Sequence, residues 1–572
     1  MNFRLFGRAC RHLAIGAILL CSASCIYVNE ELGGNLIPTD QKWDVFTPEA
    51  IELSDIKLQM ADSLSAYSST RFTFGAICDP VFGTSIKSTS FTLVPLSDTL
   101  DFGTNTKVKG FHFTAVRDTV STIHDNQQRI IQNVYVSELR TKLDTNALYT
   151  GTFMDPANRE KYLDTENLIT IGVPVYDGGD SLSFNFSLDF AESMVNRLKS
   201  VTLDSLDLYT EAIPGIYITT DAPAMEGGRI NMFKLALETG DGYITGNYAQ
   251  LFFTADYGTR KDVDTSFIFL FGPGAFVDND SSELPTQFAF NTSNHSTGNG
   301  FIEEWEAGNK TTMLIEGGGG IKPVITAREI KEKVLGAIAE AGIIDVNEVV
   351  INKATIQLPY TMPADYTDMD NFPQVLSPTV RLRSSEGNYV TYAGLTDSSI
   401  GSEDQGEINR SICMYTPDIS HHVQEIIKLD DEKKLENYDI WMMIMIDEVV
   451  ESSNSNSNYD DYMNSLLYSS YYNNMMYGGY GGYGGYGYGG YGGYGGYGYG
   501  GYGGYGGYGY GYNNYYNYMM MAAMANSYST SETSERALDK DRYYNGVLNG
   551  PGAEDNQPRL KITFSAPKSA EE

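Results

Sequence analysis

Between Tyr477 and Tyr512 the chain consists of glycine and tyrosine alone, as three copies of an eleven-residue unit starting at Tyr477, Tyr488 and Tyr499. The wider stretch from Tyr462 to Ser531 holds no charged residue, although the whole protein has a formal charge of -34. Such a segment cannot build a core. Glycine has the most backbone entropy to lose, and a buried tyrosine hydroxyl requires a partner. The fold must therefore come from the sequence on either side, with residues 450–550 carried as a disordered, low-complexity Tyr/Gly/Asn/Met-rich insertion. A long loop adds little closure entropy, so a fold tolerates it. Its rings, at Tyr477, Tyr488, Tyr499, Tyr512 and between, suit many weak contacts, and it reads as an interaction segment. A neutral repeat expansion in a permissive loop is the competing reading.

The first residues set the compartment. Arg4, Arg8 and Arg11 form a basic region ahead of the short apolar run Leu13–Leu20, too short to span a bilayer and typical of a secretory signal. Leu20-Cys21-Ser22-Ala23-Ser24-Cys25 places small residues before Cys25, the pattern of a bacterial lipobox. Residues 1–24 are thus expected to be a lipoprotein signal peptide, with Cys25 lipidated as the first mature residue. The alternative is an ordinary signal peptide with an incidental cysteine. Acylation would anchor the chain without a transmembrane helix. Cys78 and Cys413 would then be the remaining thiols, pairing or staying free. The acidic balance opposes nucleic-acid binding, because phosphates repel such a surface. It also opposes adhesion to anionic lipid by net charge alone.

Residues 25–47 are polar, with Gly33-Gly34 and Pro38, and read as a tether. Beyond them, period-two alternation dominates, as in Thr70–Phe74, Ser181–Leu188 and Ile216–Ile218, while Phe267–Phe271 reads as a strand buried on both faces. The expected fold class is all-β with a few short helices, in two antiparallel jelly-roll-like β-sandwich domains. The first would span 48–298. The second would combine 299–449 with 551–566 and leave 567–572 as a tail. Ala327–Ala341 has the apolar stripe Ile330, Val334, Ile338 and Ala341 of an amphipathic helix. Asp189–Leu198 and Ile419–Ile427 are shorter helix candidates.

Several segments carry a resemblance. The lipobox, Gly34–Pro38, Ala61-Asp62-Ser63-Leu64, Gly75–Gly83 with its Asp79-Pro80-Val81-Phe82-Gly83 turn, Pro214–Ile218, Asn352-Lys353-Ala354, Asp418–Gln424 and Arg559–Phe564 together resemble a Bacteroidota family of large cell-envelope lipoproteins, a domain of unknown function. The resemblance runs over roughly residues 25–450 plus the last strand, and the Gly/Tyr tract stands outside it. It implies an outer-membrane setting and brings no catalytic residues. An acidic export signal after the cysteine is displaced to Glu30-Glu31, so the periplasmic and extracellular faces both stay open. It also implies O-glycosylation at Asp-Ser/Thr-hydrophobic triplets, which here nominate Ser63, Thr99, Thr119, Ser181 and Ser205.

Motifs for chemistry are sparse. The chain has no GxSxG elbow, HExxH, CxxC pair or GxxxxGK[ST] loop. Gly317-Gly318-Gly319-Gly320 lacks the features of a phosphate loop and reads as a flexible turn. His421 and Glu425 stand one helical turn apart, but two ligands do not make a metal site. Asp418 and Ser420 nearby fit helix capping. Glu303-Glu304-Trp305-Glu306 sets acids beside a ring that could stack on sugar, or be a solvated turn with one core tryptophan. No cofactor, metal or catalytic residue is expected. The reading that follows is a non-catalytic outer-membrane lipoprotein, an accessory or interaction subunit of an envelope assembly with a β-barrel or transporter partner. A surface adhesin or glycan-binding lipoprotein is the alternative, and a hydrolase with carboxylates on separate strands a third.

Overall fold

The computed structural model describes residues 42–68, 70–97, 99–119, 122–123, 130–143, 149–203, 205–240, 243–272, 288–296, 301–383, 389–397, 405–451 and 532–568. These form two antiparallel β-sandwiches with few helices, the class expected from the alternation. The Gly/Tyr tract, with Tyr477, Tyr488, Tyr499 and Tyr512, and Cys25 lie outside the described residues.

The first sandwich packs a nine-stranded sheet on a five-stranded one. In the larger sheet, Arg71–Asp79 lies between Gly83–Phe91 and Gly227–Lys234, and Ala289–Ser296 pairs along the other edge of Gly83–Phe91. In the smaller, Thr104–Val116 and Arg260–Phe271 flank Tyr248–Tyr257. The inward positions are phenylalanine-rich. Phe72 stacks on Phe233 at 4.9 Å between ring centroids, and Phe113 on Phe184 at 4.6 Å. Phe91 lies 6.2 Å from Phe113, across the gap between the sheets. Helix Leu188–Leu198, capped by the Ser187 hydroxyl, closes one end with Phe190, Ala191, Met194 and Val195.

The second sandwich gathers strands from three distant parts of the chain. One sheet runs Trp43–Phe46, Arg559–Pro567, Val350–Pro359, Met414–Tyr415 and Ile408–Asn409. The facing sheet runs Tyr389–Gly394, Val375–Arg383, Ile440–Glu451, Ile321–Ile325 and Ile56–Met60, with Glu532–Leu538 paired to Ile440–Glu451. Their core joins Leu560, Ile562 and Phe564 to Ile440, Met442 and Ile444, with Ile330, Val334 and Ile338 of helix Ala327–Glu340 beside them.

Three expected boundaries move. Trp43–Phe46, placed in the tether, pairs with Arg559–Pro567. Ile51–Glu52 and Ile56–Met60, placed in the first sandwich, pair with Arg559–Pro567 and Ile321–Ile325 of the second. Glu532–Leu538 and Asn545–Asn549, placed in the insertion, are strands. Each error has one cause. A strand's partner is chosen by its hydrophobic face and not by nearness in sequence.

The sandwiches are pinned together by the Asp79–Gly83 turn. The Asp79 carboxylate accepts the amides of Val81 (2.8 Å) and Phe82 (2.9 Å). This fixes the tip of a first-sandwich hairpin so that Phe82 enters the core of the second sandwich. Phe82→Ala is expected to cost about 3–5 kcal/mol, as for other large-to-small core substitutions. A lowered denaturant midpoint in equilibrium unfolding would report it.

Candidate functional site

The outward face of the nine-stranded sheet is polar, yet it is buried. Register places Lys87 opposite Ser293, Thr89 opposite Asn291 and Ser85 opposite His295 on adjoining strands. Polar strand residues of this kind ordinarily meet solvent. Instead, two loops of the second sandwich cover them. One is the turn Glu316–Gly320 between strands Thr312–Glu316 and Ile321–Ile325. The other is the segment 539–544 that follows strand Glu532–Leu538.

Lys322 organises the first loop. Its ammonium is fully buried and donates to the carbonyl oxygens of Glu316, Gly318 (2.9 Å) and Gly320 (3.2 Å). All three N–H groups are therefore used. Burial draws the Lys322 pKa down to about 7, opposed by Glu316 and Asp539. Burial likewise raises Glu316, whose carboxylate accepts the Ile321 amide at 2.9 Å. Asp539 accepts the Gly318 amide (3.0 Å) and the Arg542 amide (2.9 Å), tying the two loops together. Asp541 accepts from the Asn291 carboxamide (3.2 Å), and Lys540 donates to the Tyr67 carbonyl (2.7 Å), tying both to the first sandwich. Tyr543 packs on Ile77 and Ile230 of that same outward face.

This corrects the reading of Gly317–Gly320 as a flexible turn. Gly318 sits at φ +54°, and a Cβ there would lie 2.6 Å from the Lys87 ammonium nitrogen. A Cβ on Gly317 would lie 2.4 Å from the Arg542 carbonyl oxygen. The glycines are required by close approach of backbone and lysine, which composition does not reveal.

The cluster is a joint and not a pocket. Between Lys87, Asn291, Ser293, Gly319 and Asp541 lies a cavity of about 10 Å³, room for a water-sized group and no substrate. The larger depression, about 500 Å³, is open surface along Asp189, Glu192, Asn196 and Arg197. Arg197 there is engaged by Glu138 at 2.5 Å.

The nominated residues fall at separate places. His421 and Glu425 approach to 3.8 Å on the exposed side of helix Ser420–Lys428, and no group of three metal-ligating side chains forms among the described residues. His422 turns inward, its Nε2–H donating to the Tyr438 carbonyl at 2.9 Å. The helix amides of His421 and His422 are capped by Asp397, from a distant loop, while Asp418 bonds Ser420. Trp305 is buried and donates to the Ile56 carbonyl at 3.2 Å, so it offers no face to a sugar. Cys78 and Cys413 are unpaired.

Among the triplet hydroxyls, Thr99, Thr119 and Ser181 are exposed, and Ser205 caps helix Leu206–Ala212. Ser63 is buried. Its oxygen accepts from Arg381 (2.6 and 3.1 Å) and donates to Asp62 (3.0 Å), while Arg381 lies over the Trp441 ring at 5.2 Å. No glycan can be seated on that oxygen in the folded chain, so its place in the Asp62-Ser63-Leu64 triplet is structural. Comparison of the chain with protein-family models, curated proteins and solved structures finds no match in any of the three.

Two consequences are measurable. Lys322→Met strips three buried carbonyls of their donor and removes one of the two lysine charges near the buried Glu316, and is expected to cost about 3–5 kcal/mol, read by thermal melting, with Lys322→Met/Glu316→Gln recovering part. Burial lowers the His422 pKa to about 4, so the unfolded chain takes up a proton near 6.5 that the folded chain refuses. Stability is therefore full above that range and is lost as pH falls from about 6.5 toward 4, by up to about 3 kcal/mol from this group. His422→Gln, which keeps the donor to Tyr438, is expected to flatten that part of the stability-against-pH curve.

Proposed function

We propose that this protein is a non-catalytic lipoprotein of the outer membrane, acylated at Cys25, that serves as an interaction subunit of an envelope assembly with a β-barrel or transporter partner. The observation that carries the reading is the root of the Gly/Tyr insertion. Strands Ile440–Glu451 and Glu532–Leu538 pair without interruption from Met445↔Leu538 to Glu451↔Glu532. Both ends of residues 452–531 thus leave from one paired position at the end of a hairpin, and the fold closes beneath them. A ring-rich stretch without charge from Tyr462 to Ser531 suits many weak contacts with a partner. The tightly filled joint between the sandwiches supports a scaffold more than an enzyme. Lys322, Asp539, Lys540 and Asp541 are committed to holding loops, and its cavity admits no substrate.

The test is stoichiometric co-purification from the native membrane in mild detergent, comparing the full chain with a deletion of residues 462–531. The expected result is a β-barrel protein recovered in equal amount with the full chain and lost with the deletion, while the melting temperature is unchanged. Recovery of the protein alone in both cases overturns the reading.

A further inference from the structure

The outer face of the sheet containing Trp43–Phe46 differs from the rest of this acidic molecule. Its inward positions, Phe46, Phe564, Ile562, Leu560, Ala354 and Ile356, belong to or pack on the core. The alternate positions must point out. Across the strands, Val45 lies opposite Ser565 and Ser565 opposite Val350. Trp43 lies opposite Pro567, Lys353 opposite Thr563, and Lys561 opposite Thr355.

Trp43 is 49% exposed, Val45 64% and Val350 45%. Lys353 and Lys561 are exposed as well. Glu52, which register also brings to this face, is neutralised by Arg559 at 3.7 Å, and register turns Asp44 the other way. A face with one apolar end and two lysines is thus displayed by a protein of net charge -34.

We propose that this face lies on the phospholipid bilayer that holds the Cys25 anchor, with Trp43, Val45 and Val350 at the headgroup level and Lys353 and Lys561 against anionic phosphates. The inference rests on the reading of Cys25 as lipidated. Three observations favour a bilayer over a protein partner. The strand bearing Trp43 and Val45 is the first described element after the anchor, and residues 26–41 span at most about 60 Å however they run. A tryptophan among aliphatic side chains and lysines is the chemistry of a membrane interface, where the ring and the lysine stems occupy the boundary. The charge is locally opposite to that of anionic lipid. Acidic surface elsewhere is screened beyond a Debye length of about 8 Å, so the net charge does not decide the contact.

The chain's other tryptophans, Trp305 and Trp441, are buried, so Trp43 is a built-in probe. The full-length protein is reconstituted into vesicles of phosphatidylcholine with and without phosphatidylglycerol, with brominated lipid as quencher and Trp43→Phe as the blank. Flotation and the acyl mass at the N-terminus are recorded on the same samples. The expected result is Trp43 quenching in the anionic vesicles that high salt reverses. Lys353→Gln/Lys561→Gln should weaken that headgroup contact on the order of thirtyfold, from roughly fivefold per lysine near an anionic surface. These lysines are exposed, so an unchanged melting curve controls for folding.

A protein that floats and is acylated, but whose Trp43 stays unquenched in every vesicle, overturns the face and leaves the anchor standing. A protein without acyl mass that does not float overturns both. Quenching in neutral vesicles that salt and the lysine variants leave unchanged overturns the electrostatic part of the proposal.

Discussion

A single buried ammonium constrains much of this architecture. Lys322 reaches no solvent, so each of its N–H groups needs an acceptor inside the protein, and the chain supplies three carbonyls from Glu316 to Gly320. Three carbonyls can converge on one nitrogen only if the backbone curls around it. The curl leaves no space for a side chain at Gly320, where a Cβ would meet Glu316, while the 539–544 segment and Lys87 crowd Gly317 and Gly318. The same turn presents the Gly318 amide to Asp539, and Asp539 holds the segment that returns from the Gly/Tyr insertion. That segment is pressed in turn onto the outward face of the first sandwich through Asp541, Lys540 and Tyr543. The way two sandwiches meet, and the place where a long insertion rejoins the fold, are thus coupled to one charge. A buried ionic cluster of this kind costs desolvation, and apolar packing would serve stability as well. What it supplies is a single arrangement, since any slip of either loop strands a charge.

Much of the fold is legible in the chain because strand and helix periods are local. Ser181–Asn185 and Arg559–Phe564 announce themselves by alternation, Phe267–Phe271 by a continuous apolar run, and Ala327–Ala341 by its stripe of Ile330, Val334 and Ile338. Pairing is less legible. Nothing near Ile56–Met60 says that Ile321–Ile325 will be its neighbour, because the choice is made by complementary faces far apart in sequence. The joint is less legible still. Lys87, His295 and Asn291 are polar strand residues, for which the ordinary assignment is the solvent-facing side. It fails only because another sandwich lies over them. The tetraglycine was visible as a break, but whether a glycine run is open or crowded depends on what approaches it.

The motif residues show the same division. Asp62-Ser63-Leu64 has the form of a modification triplet. In the fold it is a clamp, with Ser63 and Asp62 gripping Arg381 over Trp441. Asp79-Pro80-Val81-Phe82-Gly83 has the form of a turn and is one, yet its purpose is to deliver Phe82 into a neighbouring core. His421 and Glu425 meet the spacing rule for ligands on a helix and still lack a third partner among the described residues. In each case the local chemistry is stated by the sequence, and its use is decided by a residue hundreds of positions away.

The two sheets of the second sandwich carry the proposed lipid-facing surface and the root of the tract, and their geometry relates them. Trp43, Val45, Val350, Lys353 and Lys561 lie on the outer face of one sheet, while the hairpin that roots the Gly/Tyr tract belongs to the other. Packed sheets stand about 10 Å apart with their outer faces directed away from each other. With the basic face on the bilayer, the strand pair that carries the tract occupies the layer farther from the lipid. The tract then leaves from a sheet turned toward the aqueous side. An uncharged tyrosine-rich segment rooted against the bilayer would compete for the headgroup region that suits its rings. Under the two proposals, rooting it one layer away would favour contacts with another protein over contacts with lipid.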